Sequence, residues 1–338
     1  MTVRATPSAA SADRPRSRLW GAFGLAAVAA MVASIAVASI ADINGPATAD
    51  VTAERLDGAS TGGASGGPSL DPFVCREYTA SVAGQVSDPA LTEISGMARG
   101  RRDESVLWVH EDSGAKADVH ALTLDGTKRR TFRLESAQAK DWEDMSIGPG
   151  PEAGTDYLYL GDVGDNGKNR SNIVVYRVPE PAVTNGGLTT LSGVESITLR
   201  YPDGRYNSEA IAVGADGTIY VITKSNGTRV YMAPYPQSTA NVNTMTQVPA
   251  GTLAPRVDMS GADIRMDGQA LIVRGYRDAW TWPIRPGESM ATTLARTPCS
   301  TPTYRPEIQG EAIAFLANDG SYATTGEMSR TPVRHFTL

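Results

Sequence analysis

Glu311-Ala312-Ile313-Ala314 repeats Glu209-Ala210-Ile211-Ala212, and a looser form of the phrase stands at Ser95-Gly96-Met97-Ala98, Glu143-Asp144-Met145-Ser146 and Ala262-Asp263-Ile264-Arg265. Successive copies lie 48, 66, 53 and 49 residues apart, within or slightly above the period at which one repeat is one four-stranded propeller blade. A second apolar run follows each phrase, at Leu107-Trp108-Val109, Leu158-Tyr159-Leu160, Ile219-Tyr220-Val221, Leu271-Ile272-Val273 and Tyr322-Ala323-Thr324. A third follows at 119–124, 173–178, 228–233, 279–284 and 333–338. These runs are short, rich in aromatic and β-branched residues, and bounded by Asp-Gly pairs such as 125–126, 216–217 and 319–320. That is the signature of strands joined by tight turns.

Fourth strands are read at 131–134, 195–199, 246–253 and 292–295. The fifth unit lacks one, and the strand-like stretch 77–86 can supply it, pairing the two ends of the ring so that no blade edge is left open. The expected fold is therefore all-β, a five-bladed β-propeller over 73–338. A sixth blade is the alternative if 179–187 hides strands, but its Pro, Asn and Gly content reads as a loop. A β-sandwich would not account for the repeated phrase.

Residues 1–18 are basic, with Arg14, Arg16 and Arg18 ahead of an uncharged stretch at 19–41. Its length suits a membrane anchor, while small residues near its end suit a cleaved signal peptide. Either would export the remainder of the chain, so the expected location is extracellular, secreted or held at the membrane through this segment. Residues 42–72, rich in Gly, Ser and Thr, read as a flexible tether.

Two cysteines, Cys75 and Cys299, lie 224 positions apart and flank the proposed terminal blade. In an oxidising compartment they should form a disulfide. A thiol nucleophile would need a base, and no histidine lies within 30 residues of either. No Cys/His pairing suggests zinc. The chain carries a net charge of −6, and dropping 1–41 leaves 27 basic against 36 acidic residues, which argues against nucleic acid as a partner. No phosphate-binding or dinucleotide glycine fingerprint is present. The expected ligand is a small molecule or a surface, met by a monomer.

Within each unit the first strand begins where the second ends, so both places share one rim. That rim collects Ser95, Glu143, Glu209, Ala262 and Glu311 from the first strands. From the second it collects His110-Glu111-Asp112, Asp162, Asp165, Lys224, Arg274, Arg277 and Glu327. The oxygen-rich segments around Glu143, Asp162, Asp165, Glu209 and Glu311 suit calcium, which takes six to eight oxygen ligands. For Asp165-Asn166-Gly167 a hairpin turn is an equal reading. Asp144 reads also as an acceptor joining blades. His110, with Glu111 and Asp112, is the candidate acid or base, its pKa expected to be raised by those carboxylates. A surface histidine without a role is the alternative. His120 and His335 fall inside third strands and read as packing or surface residues.

The run Glu93-Ile94-Ser95-Gly96-Met97, then Leu107 through Gly114, then Asp141-Trp142-Glu143-Asp144-Met145 resembles secreted bacterial propellers of the phytase-like, esterase-like group and the SdiA-regulated group. The resemblance covers the first two units, and later ones only through the Glu-Ala-Ile-Ala phrase. It implies that Glu143, Asp162, Glu209 and Glu311 hold calcium while Lys224, Arg274 and Arg277 hold phosphate. Calcium-dependent propeller phytases have six blades, and the count of five departs from that pattern. Two functions are compatible with these residues: a propeller binding a ligand on its acidic rim, or a calcium-dependent hydrolase of phosphoesters or other esters.

Overall fold

The computed structural model describes residues 75–338 apart from 115, 225, 226, 301–306 and 308. All belong to the second of two units, Ala64–Leu338. The basic segment, the signal or anchor and the tether expected from sequence lie outside the described residues. Among the described ones, no helix is long and apolar enough to cross a membrane.

These residues build a β-propeller of five blades. Blade 1 runs outward from the axis as Ile94–Arg99, Leu107–Glu111, Asp118–Leu122 and Lys128–Leu134, and blade 2 as Trp142–Pro149, Asp156–Asp162, Ile173–Pro179 and Glu195–Arg200. Blade 3 comprises Ser208–Val213, Ile219–Thr223, Val230–Ala233 and Thr246–Val248. Blade 4 comprises Met259–Ile264, Ala270–Gly275, Ala279–Pro283 and Cys299–Ser300. In blade 5 the strands Gly310–Phe315, Tyr322–Gly326 and Pro332–Thr337 take Thr79–Gln85 as their antiparallel outer neighbour, so the two ends of the ring share one sheet.

The stretch 292–295, expected as a strand, belongs to the helix Met290–Ala295. Ser289 caps it by accepting from the Thr292 amide, a preferred N-cap arrangement that a strand reading of the threonines overlooks. The strand expected at 246–253 ends at Val248, and a 3-10 turn, Gly251–Leu253, comes after it. The loop reading of 179–187 holds, and just beyond it Leu188–Leu191 lies parallel to the outer strand of blade 1. Asn243–Thr244 does the same for blade 2. Blades 1 and 2 thus have their outer edges covered by chain borrowed from the next blade, which protects them from unwanted pairing.

Apolar residues fill the five spaces between blades. Trp108 and Trp142 pack between blades 1 and 2, Tyr159 and Tyr231 between 2 and 3, Ile222 and Trp282 between 3 and 4. Ile272 and Phe336 fill the space between 4 and 5, Ala314 and Val109 that between 5 and 1. Each sheet is therefore covered on both faces, which is why the second strands read as unbroken apolar runs. Cys75 and Cys299 are bonded, with Cα atoms 4.9 Å apart. Ring closure itself is made by strand pairing; the bond ties the approach to Thr79–Gln85 to the outer strand of blade 4.

Every inner strand carries a bulge at the same place. The register with the second strand shifts between Ile94 and Gly96, Trp142 and Asp144, Ser208 and Ala210, Met259 and Gly261, and Gly310 and Ala312. The extra residues are Ser95, Glu143, Glu209, Ser260 and Glu311. The blade 4 equivalent is thus Ser260, two positions before the Ala262 expected from the phrase. A bulge redirects one side chain out of the alternation of its strand, and here each redirected residue bears oxygen.

Just past the bulges, side chains join one blade to the next. The buried Asp144 carboxylate accepts from the amides of Met145 at 2.8 Å, Ile211 at 3.0 Å and Ala262 at 3.1 Å, spanning blades 2, 3 and 4. This is the blade-joining role that the sequence offered for Asp144. Asp263 accepts from Phe315 N at 2.9 Å, and Ser146 Oγ from Val213 N at 3.1 Å. The blades approach so closely that a Cβ on Gly261 would lie 2.3 Å from the Glu311 carbonyl oxygen.

Candidate functional site

Three of the five bulge residues are glutamates, each 4% exposed. The two serines do not compete for the centre. Ser95 Oγ donates to the Glu143 carbonyl, and Ser260 Oγ to that of Gly310 at 3.0 Å. Carboxylates so placed are deprived of water, and burial shifts all three upward. Glu143 is pushed up to about 11 by burial, reinforced by Glu209, Asp112, Asp141 and Glu311. Glu209 rises to about 7 through burial, with the Lys224 ammonium opposing. Glu311 also rises to about 7, burial first and Glu327 next. Glu327, Asp112 and Asp141 are raised too, each chiefly by burial.

The site divides into two halves. In the first, Asp112 follows the second strand of blade 1, Asp141 precedes the inner strand of blade 2, and Glu143 is its bulge. One carboxylate oxygen from each lies within 4.8 Å of the others. Gly164 passes directly behind them: a Cβ there would come within 2.2 Å of Glu143 Oε1 and 2.5 Å of Asp141 Oδ2. Any larger residue would push these acids out of place.

The second half is built around Lys224, positioned where its amide donates to the Asn207 carbonyl at 3.0 Å. Its Nζ donates to Glu209 Oε2 and to the Tyr276 hydroxyl, and that hydroxyl donates to Glu311 Oε1 at 3.3 Å. Asn207 Nδ2 donates to Glu209 Oε1 at 2.9 Å. Glu311 Oε2, fully enclosed, has no hydrogen-bond partner among the described residues; the nearby Ser95 hydroxyl directs its hydrogen to the Glu143 carbonyl.

Other residues singled out in the sequence are engaged elsewhere. Asp162, 1% exposed, receives the Arg170 guanidinium at 2.7 Å. Asp165 accepts from the amides of Asn169 at 2.9 Å and Arg170 at 2.7 Å, closing a turn. Arg274 is wholly buried, its Nη1 donating to Glu307 Oε2 at 3.1 Å and to the Ala312 carbonyl at 2.8 Å. Arg277 is exposed, in a groove with Val257, Asp258 and Trp280. Glu111 accepts from the Thr92 amide at 2.9 Å.

His110 is not at the rim. It is wholly buried between blades 1 and 2, edge-on to Trp142 with ring centroids 5.4 Å apart. Its Nδ1 donates to the Glu111 carbonyl at 2.9 Å. Burial lowers its pKa to about 4, the reverse of the expected shift, because the imidazolium would lose its water while no carboxylate is bonded to it. His120 is buried in the third strand of blade 1, Nδ1 3.0 Å from Thr131 Oγ1.

Asp141 was legible only as part of an acidic run. Tyr276, Asn207 and Gly164 were missed. Tyr276 sits between Arg274 and Arg277 at the end of a second strand, the position that supplies Lys224 in blade 3, and that equivalence was the available signal.

No protein-family model and no curated protein matches the chain. Among solved structures it is similar to the PQQ-bound form of an aldose sugar dehydrogenase from Streptomyces coelicolor. The identity is 10% and the TM-score 0.39, over 77% of this chain and 98% of that one. A likeness at that level assigns no ligand and no residue role.

Proposed function

We propose that this propeller binds its ligand at an acidic mouth, where the inner strands begin, through a divalent cation, and that the cation is calcium. The carrying observation is the convergence of the Asp112, Asp141 and Glu143 carboxylates within 4.8 Å, behind which Gly164 leaves room for no side chain. The three grouped ligands all offer oxygen, which suits hard cations over zinc or copper. Ligands arriving from two separate segments, at 112 and at 141–143, suit the larger and more adaptable coordination of calcium. A cation would also relieve the burial and mutual repulsion that raise the pKa values of these acids. The disulfide supports an oxidising compartment, so we place this activity outside the cytoplasm and assign it to a monomer.

A second reading is a calcium-dependent hydrolase of phosphoesters or other esters, of the phytase-like type. The Lys224 ammonium and Tyr276 hydroxyl beside the acids favour it, since both could hold an oxyanion next to a metal. The bound metal would act there as a Lewis acid. Against it, Arg274 is committed to Glu307 and backbone carbonyls, so binding is the preferred reading.

The test is thermal unfolding with calcium and with chelator. At a hundredfold excess over Kd the stabilisation is roughly 2.7 kcal/mol, and Asp141→Asn and Glu143→Gln should each shrink it. A wild-type melting temperature indifferent to calcium would remove the cation. Turnover of an aryl phosphate by the loaded protein would favour the hydrolase.

A further inference from the structure

The first half of the site joins two half-buried aspartates to the buried Glu143 and the second pairs two buried glutamates, and among the described residues only the second has a cation bonded to its acids. The Lys224 ammonium is bonded to Glu209 and to Tyr276, and Tyr276 passes a hydrogen bond on to Glu311. Its ammonium lies 4.7 Å from the Tyr276 ring centroid, which adds a cation–π attraction. Glu209 has both carboxylate oxygens bonded, one by Asn207 and one by Lys224. Glu311, 4% exposed, keeps Oε2 without a hydrogen-bond partner among the described residues, and the charges of Glu327, Lys224 and Asp112 act on it.

We propose that Lys224 is a built-in counter-cation that fills the Glu209 and Glu311 half of the mouth, limits the site to one divalent ion, and keeps a second oxygen site closed. The proposal rests on the cation reading above. Without the ammonium, Glu209 and Glu311 would be two buried carboxylates with no counter-charge bonded to them, which must take up either protons or a cation. The Oε2 of Glu311 is then a ready ligand, with the Tyr276 hydroxyl on its Oε1 as a neutral oxygen beside it. Lys224 thus sets how many ions the site takes, and so which ligands it can bridge.

The experiment is calcium titration by calorimetry on the propeller carrying Lys224, Lys224→Gln or Lys224→Arg, each checked for a native far-ultraviolet spectrum. The expected stoichiometries are one, two and one. One ion in both wild type and Lys224→Gln overturns the role of Lys224 while leaving the cation reading intact. Two ions in wild type also overturns it. No ion in wild type and one in Lys224→Gln supports the role of Lys224 and sinks the cation reading at Asp112, Asp141 and Glu143. No binding in either sinks both. Should Lys224→Gln fail to fold, Lys224→Met and Tyr276→Phe supply the comparison: the first should bind two ions, the second one.

Discussion

Glu143 and Asp144 are adjacent in the inner strand of blade 2 and both are buried, yet their surroundings are opposite. Asp144 accepts three backbone amides from three blades, whereas Glu143 is surrounded by Glu209, Asp112, Asp141 and Glu311, every one of which raises its pKa. The bulge separates them: it turns Glu143 toward the axis and leaves Asp144 facing the neighbouring strands. A few residues on, Asp162 and Asp165 belong with Asp144, held by Arg170 and by turn amides. Asp144, Asp162 and Asp165 are satisfied by donors and serve the fold, between blades or within one loop, whereas Glu143 is set among other acids and is available to a ligand.

The sharpest way to break this comparison is to remove each of the adjacent pair. Asp144→Ala leaves three buried amides without acceptors, at roughly 1 to 3 kcal/mol each, so urea unfolding should show a loss of about 3 kcal/mol or more. Glu143→Ala in the same assay with chelator should leave stability nearly unchanged or improved. Equal losses would refute the division. Next in size, Asp165→Ala orphans the amides of Asn169 and Arg170 and should lower stability by about 1 to 2 kcal/mol, yet leave the calcium-dependent rise in melting temperature intact. Loss of that rise without loss of stability would move Asp165 to the ligand side.

The smallest effect expected is on the pH profile. A carboxyl raised in the folded state holds its proton more tightly than in the unfolded chain, so its contribution is complete below about pH 4.5 and is lost as pH rises through the folded value. Glu209 and Glu311, both raised to about 7, should therefore make the calcium-free protein less stable at pH 8 than at pH 6.5. His110 and His120, both lowered to about 4 by burial, act oppositely: their cost to the folded state sets in about a unit above the free value of 6.5 and grows as pH falls toward 4. Between pH 6.5 and 8 the raised acids, Asp263 among them at about 7, outweigh the histidines, and Glu311→Gln should flatten the slope by roughly 1 kcal/mol. An unchanged slope would mean that Glu311 titrates normally.

The fold was legible because every blade repeats the phrase and the apolar run, with an Asp-Gly turn in blades 1, 3, 4 and 5, and both faces of each sheet demand apolar residues. The closing strand could be inferred from the missing outer strand of blade 5. The bulges were not legible, since a one-residue insertion leaves no mark when the phrase varies; hence Ala262 was aligned where Ser260 belongs. The site was legible in part. Glu143, Glu209 and Glu311 stand out because each opens a repeat, but sequence does not reveal which acids find donors. Arg170, which occupies Asp162, is an ordinary loop arginine by sequence, and His110 looked exposed only because acids come after it.

The sharing of one sheet by Thr79–Gln85 and Pro332–Thr337 has a consequence for how the chain comes to be folded. Synthesis yields the outer strand of blade 5 first and its partner last, so this strand waits while the four other blades form. During that wait it has an unpaired edge and a half-exposed face, and contacts of such long sequence separation are slow to form. A nascent or truncated chain lacking its last strands would carry two open edges, one on each side of the gap, and both invite pairing with another copy. The molecule is therefore divisible only on paper: four completed blades are an aggregation hazard until the fifth is finished.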